Sequence, residues 1–169
     1  CLDQMIFKII GARLRYFRYK FVKQYIIGEN ILEVGSSDAY LKKIINNKNV
    51  VCSDIIPKHN VEVQNVEKLT FNDNSFDTVL CMEVLEHVDN PINALKELKR
   101  VNKKRLIISV PYEPWYTLWR LLIWEKEHVW SIRPSIFKKN LGSPMIEKTI
   151  ILGRYYVGIW DENKKKNNS

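Results

Sequence analysis

The chain has 169 residues and a mass of 20.1 kDa; it is 46% hydrophobic and 27% charged, with a formal net charge of +8. That is enough for one domain with a real core, and the balance excludes a disordered, collagen-like or low-complexity chain. No apolar run approaches the about 20 residues of a membrane span, so no transmembrane segment is expected.

No signal-peptide pattern opens the chain, and whether Cys1 is the native start stays open. Cys1, Cys52 and Cys81 are odd in number, widely spaced and form no CxxC pair. They read as reduced packing cysteines of a cytoplasmic protein. The positive charge has two homes. Lys8, Arg13, Arg15, Arg18, Lys20 and Lys23 crowd the first helix, and Lys164, Lys165 and Lys166 sit in a polar tail over 163–169. Nucleic acid or an anionic membrane surface would be attracted to such clusters. A solvated helix face and a soluble tail are preferred, because no aromatic–basic interleaving accompanies the tail.

In chain order, residues 5–27 carry apolar positions at Ile6, Ile10, Leu14, Phe17 and Phe21, a helical stripe that Gly28 would stop. Strands follow at 31–34, 50–54, 61–63, 76–82 and 105–110, with helices near 40–46 and over 91–101, the latter with Pro91 in its first turn. A short helix at 134–140 precedes two strand-like runs near 146–152 and 155–160. Strands alternating with helices argue for an α/β domain: a doubly wound, mostly parallel seven-stranded sheet with helices on both faces. The last two runs lie too close for a helical crossover and read as an antiparallel edge hairpin. One domain is expected over residues 1–162, with residues 1–28 as its N-terminal helical region.

The residues able to do chemistry recur at strand ends. An apolar run ending in Glu33 leads into Gly35, Ser36, Ser37, Asp38 and Ala39: a buried strand, a tight turn and a helix start. Such a turn lets backbone approach a nucleotide-like ligand, although Gly and Ser also suit an ordinary connector. Asp54 ends the second strand nineteen residues after Gly35, where a carboxylate can accept both ribose hydroxyls. Asn65 and Val66 follow the third strand, where an amide and a backbone N–H can read an adenine edge. Glu83, Glu86 and His87 form ExxEH past the fourth; a helical turn there would put all three on one face.

From Leu32 through Gly35 to Leu41, the chain resembles the first motif of the class I S-adenosylmethionine-dependent methyltransferases. The runs 65–71, 74–79, 83–88, 98–101 and 107–111 continue the resemblance in order, over about residues 30–140. Within that family the chain is most similar to the ubiquinone-biosynthesis-type branch of small O- and C-methyltransferases. The resemblance implies a Rossmann-like fold and S-adenosylmethionine as cofactor. It puts Glu33, Gly35, Ser36 and Ser37 near the methionine end, Asp54 and Ile55 at the ribose, Asn65 and Val66 at the adenine, and Cys81 and Met82 near the sulfonium through backbone. His87 becomes the candidate base, with Glu83 and His128 beside it. Ser37 and Ala39 stand where the family has glycines, so a position needing positive φ would be compromised.

Glu83, Glu86, His87 and His128 could together hold a divalent ion, as in the resembled small-RNA 3′-end methyltransferases. The preferred reading is that they only hydrogen-bond and orient the loop. Trp115, Tyr116, Trp119, Trp124 and Trp130 lie where the resembled fold covers its acceptor, and Trp115 or Tyr116 is the choice for a pocket wall. The expected reaction is methyl transfer to a small-molecule, lipid-linked or glycan acceptor at oxygen, nitrogen or carbon. The alternatives are a non-catalytic methyltransferase-like scaffold and an RNA methyltransferase. Nucleic acid is not the favoured partner, peripheral membrane contact stays open, and the sequence is silent on oligomeric state.

Overall fold

A computed structural model describes residues 2–45, 49–58, 60–112 and 132–162, with side chains from residue 10 onward. Its elements are α1 (Leu2–Lys23), β1 (Asn30–Val34), α2 (Tyr40–Ile44), β2 (Asn49–Asp54), β3 (Glu62–Val63), β4 (Phe76–Met82), a 3-10 turn (Leu85–His87), α3 (Pro91–Val101), β5 (Asn102–Pro111), α4 (Pro134–Leu141), β6 (Ile146–Ile150) and β7 (Tyr155–Asp161). The seven strands form one sheet in the order β3-β2-β1-β4-β5-β7-β6. The first five are parallel, and β7 pairs antiparallel with both β5 and β6. The expected edge hairpin is therefore β6–β7, with β7 lying inside.

All seven residues of β4 are buried, as a central strand covered on both faces requires. Its side chains alternate between two cores. Val79 and Cys81 pack with α3 and α4 through Leu95, Leu98, Phe137 and Leu141. Leu80 and Met82 pack with α1 and α2 through Tyr19, Val22 and Leu41. Asn90 caps α3 by accepting the Asn93 N–H at 3.1 Å, with Pro91 opening the first turn. From β1 the chain steps outward through β2 to β3, then returns to β4 on the other side of β1. This reversal is the topological switch where an open α/β sheet leaves a crevice.

The helix α1 buries its apolar stripe only in part, with Phe21 packed against the core. Ile10 and Phe17 are 46% and 53% exposed, while Tyr19 and Val22 are 6% and 0%. Polar contacts decide the facing side. Arg15 donates to Asp38 at 3.0 Å, Tyr19 donates to Glu33, and Arg18 lies 3.8 Å from Glu83. Arg15 and Arg18 are thus not the solvated residues expected of them.

At the opposite end of the sheet, Asp77 ties the α1–β1 connection to β4. It accepts the backbone N–H groups of Glu29 at 2.9 Å and Asn30 at 3.2 Å and pairs with Lys104 at 2.9 Å. The Lys104 hydrogen bond, helped by the two N–H groups, lowers its carboxyl from the ordinary 3.8 to about 2. A lowered folded value means stability that is present above the unfolded value and lost as pH falls through the folded one. Asp77→Asn is expected to cost roughly 1.5–3 kcal/mol at neutral pH. The gap between the urea midpoints of wild type and variant should narrow as pH drops below 3.8.

Candidate functional site

At the switch point, a cleft of about 520 Å³ runs along the carboxyl ends of β1, β2, β3 and β4. Gly35, Asp54, Asn65 and Glu83 each line it from the end of a different strand. Strand polarity brings them together from positions far apart in sequence.

Gly35 opens the turn at φ +69, and a Cβ there would fall 2.2 Å from Val84 Cγ2. Both facts demand glycine. Ser37 and Ala39 stand where the resemblance placed glycines, and they take φ 52 and 54. The left-handed turn therefore survives without its glycines, at some backbone strain. The Ser37 N–H donates to Asp54 Oδ2 at 2.9 Å, and the Ile56 N–H donates to Asp54 Oδ1 at 3.0 Å. This carboxylate bridges two loops at the cleft wall, and each oxygen keeps capacity for a second donor. Asn65 accepts the Glu67 N–H at 2.8 Å through Oδ1, a local turn that presents the amide to the cleft beside Val66.

Behind this wall, Arg100 and Glu97 hold the loop after β3. Arg100 donates to the Leu69 and Phe71 carbonyls at 2.9 and 2.7 Å, and Glu97 accepts the Leu69 N–H at 2.9 Å.

Several expected residues lie outside the cleft lining. Glu33 is 1% exposed beneath the turn; Tyr19 and Ser36 each donate to its carboxylate, and Cys52 Sγ lies 3.6 Å away. Burial raises its pKa, against the pull of those hydrogen bonds. Ser36 is buried with its hydroxyl on Glu33, and Cys81 and Met82 are buried in the two opposite cores. Ile55 does line the cleft, 65% exposed. His128, Trp115, Tyr116, Trp119, Trp124, Trp130 and the 163–169 tail fall outside the described residues.

The ExxEH segment does not share one face. Glu83, at φ 59, precedes the 3-10 turn and accepts from Ser109 Oγ at 2.7 Å. Its pKa is raised by burial and restrained chiefly by Arg18. His87 is exposed on the cleft rim, whereas the Glu86 side chain is 3% exposed. Glu86 Oε1 lies 3.8 Å from His87 Nε2, and among the described residues neither carboxyl oxygen has a hydrogen-bond partner. Burial, and after it the charge of Glu83, pushes the Glu86 carboxyl up to about 9. Among the described residues no group of three or more His, Cys, Asp and Glu side chains is arranged to hold a metal ion. Sequence reasoning missed Lys58, Gln64 and Asp89 on the lining. Their nearness to the strand ends was the available signal. It also missed Arg18, which no local pattern links to Glu83.

Residues 25–108 match a family model described as a methyltransferase domain. The chain is similar to an uncharacterized protein of Methanocaldococcus jannaschii, 33% identical over 118 residues. That match covers 64% of this chain and 49% of the other, so the chain spans about half the length of the curated relative it matches. Among solved structures it is similar to a SAM dependent methyltransferase from Archaeoglobus fulgidus, with a TM-score of 0.66 and 16% identity over 92% of this chain and 94% of that one. It is also similar to the PH0226 protein from Pyrococcus horikoshii OT3, with a TM-score of 0.63 and 16% identity over 90% of each. At these identities the structural likeness is one of fold.

Proposed function

We propose that this chain, whose residues 25–108 match a family model described as a methyltransferase domain, is an active class I S-adenosylmethionine-dependent methyltransferase, moving a methyl group to an oxygen, nitrogen or carbon of a small-molecule acceptor. The reading rests on the cleft at the switch point, which gathers a positive-φ glycine turn, a carboxylate, an amide and an imidazole from successive strand ends. We read residues 1–162 as the single domain that does this work. The cytoplasm suits its free buried thiols Cys52 and Cys81, and no described helix is long and apolar enough to cross a membrane.

The residues present fit the cofactor. A cleft of about 520 Å³ suits a nucleoside-sized ligand. Asp54 has lone pairs left for two ribose hydroxyls, with Ile55 beside it, and Asn65 with the Val66 backbone suits an adenine edge. Gly35 and Ser37 would face the methionine end, with Ser36 and Glu33 supporting the turn from below. Cys81 and Met82, whose side chains are buried, would offer only backbone near the sulfonium. When bound, the cofactor supplies a positively charged, already activated methyl group.

The chain's own task is to hold an acceptor in line with that methyl, and orientation of this kind is worth roughly 7–11 kcal/mol of a barrier. His87 on the rim is the group to take a proton from a hydroxyl acceptor. Glu83, fixed by Ser109 and near Arg18, stands within electrostatic reach of that imidazole.

Calorimetric titration with S-adenosylmethionine and S-adenosylhomocysteine tests the reading. Wild type should bind both, and Asp54→Ala should weaken binding by about 10–100-fold through the lost charged hydrogen bonds. Absence of binding by a folded wild type would favour the scaffold alternative. Unchanged affinity in Asp54→Ala would remove the ribose assignment.

A further inference from the structure

The polar contacts that dock α1 leave the part of its apolar side around Ile10 and Phe17 outward. Arg15, Arg18, Tyr19 and Val22 face the body, and Ile10, Tyr16 and Phe17 are 46%, 50% and 53% exposed. Because the docked face is fixed by Asp38, Glu33 and Glu83, the helix cannot roll to hide these side chains without breaking those contacts. Arg13 and Lys20 are exposed among them, and Lys20 Nζ stands 6.0 Å from the Tyr16 ring. Lys148 on β6 places its Nζ 5.5 Å from the Phe21 ring at the same side of the helix. Between α1 and α2 runs a groove of about 330 Å³, lined by Tyr16, Tyr19, Lys20, Lys23, Tyr40 and Ile44.

We propose that the outward face of α1 docks this protein on an anionic lipid surface, with Ile10 and Phe17 entering the headgroup boundary and Arg13 and Lys20 meeting lipid phosphates. The charge of the helix selects that occupant. Residues 2–23 hold six basic side chains and one acidic one, Asp3. Two copies meeting through this face would bring like charges together, which opposes self-association. Tyr16 and Phe17 meet edge-on, 5.5 Å apart at 70°, and so offer no flat platform for stacked bases. The helix spans roughly 33 Å at the usual rise per residue, and it is too polar to cross a bilayer. An amphipathic helix of this kind lies in the interface plane, where apolar insertion and cation attraction act together. The groove beside it gives a headgroup a recess with two lysines at hand.

The test is flotation of the full chain with vesicles of three parts phosphatidylcholine to one part phosphatidylserine, and with phosphatidylcholine alone, with no cofactor present. The proposal expects recovery with the anionic vesicles, little with the neutral ones, and loss at high salt as the charges are screened. Arg13→Gln with Lys20→Gln should reduce partitioning by about fivefold per cation removed. Ile10→Ser with Phe17→Ser should reduce it at least as much, while the melting temperature, read in parallel, stays near that of wild type. No binding to anionic vesicles at low salt would overturn the proposal. So would binding indifferent to both variant pairs, a dimer that Ile10→Ser with Phe17→Ser dissociates, or retention on RNA without vesicle binding. None of these residues lines the cleft, so failure here leaves the cofactor titration unaffected.

Discussion

Gly35→Ala is expected to lower stability by roughly 2–5 kcal/mol and to cut S-adenosylmethionine affinity with it. Two separate penalties add. At φ +69 an L side chain is strained by about 1–2 kcal/mol. The new methyl would also stand 2.2 Å from Val84 Cγ2, and Val84 is itself on the cleft wall, so relief of the clash would move that wall. The two terms separate in a double-mutant cycle with Val84→Ala, followed by urea unfolding. Removing the valine methyls should recover the steric part and leave the backbone part. A Gly35→Ala chain as stable as wild type would mean that the turn relaxes at no cost. Ser37→Gly, two residues on, should act with the opposite sign. It frees a side chain held at φ 52 and forfeits only an exposed 3.2 Å contact with Lys58, for a net gain of up to about 1 kcal/mol.

The contrast between these positions marks how far the sequence could be read. That a turn with Gly35 follows a buried strand was visible, because strand, small residues and helix start are local signals. That Ser37 and Ala39 would still adopt the left-handed conformation was not, since nothing local forces a non-glycine there. The holding contacts are long-range: Asp54 fixes the Ser37 N–H, and Arg15 fixes Asp38.

The same cause explains α1. Its apolar periodicity was legible as a helix, but which side of that helix faces the body was not. The facing residues were chosen by carboxylates in β1, in the turn and after β4, up to 65 positions away in the case of Arg18 and Glu83. The bounds of β4 and α3 were legible for the opposite reason. β4 and α3 begin and end where the apolar pattern and Pro91 put them, and those terms need no distant partner. The cleft followed from strand order. The inward turn of Glu33 did not, because Tyr19 lies fourteen residues upstream on another element.

Glu86→Gln is expected to make the protein more stable above neutral pH while leaving acid stability unchanged. The carboxyl is buried, with neither oxygen hydrogen-bonded among the described residues, and burial pushes its pKa up to about 9 from the ordinary 4.5. Between those values the folded chain holds a proton that the unfolded chain has released. Its contribution is therefore fully present below 4.5 and is lost as pH rises toward 9, with a slope of up to about 1.4 kcal/mol per pH unit. The glutamine is nearly isosteric and cannot ionise, so it removes that slope. Melting curves recorded from acid to alkaline pH should coincide at the acid end and diverge progressively above it, with the variant higher. Parallel curves would show that the carboxylate is as well accommodated as the acid, which would require a partner for its charge. A buried acid without hydrogen-bond partners is a cost that packing alone would remove, as natural sites elsewhere trade stability for chemistry. Its neighbour at 3.8 Å is the imidazole proposed to accept the proton. A neutral acid and a neutral amide present the same charge to that imidazole, so turnover in Glu86→Gln should stay near that of wild type at neutral pH, and a fall would show that Glu86 is charged beside His87.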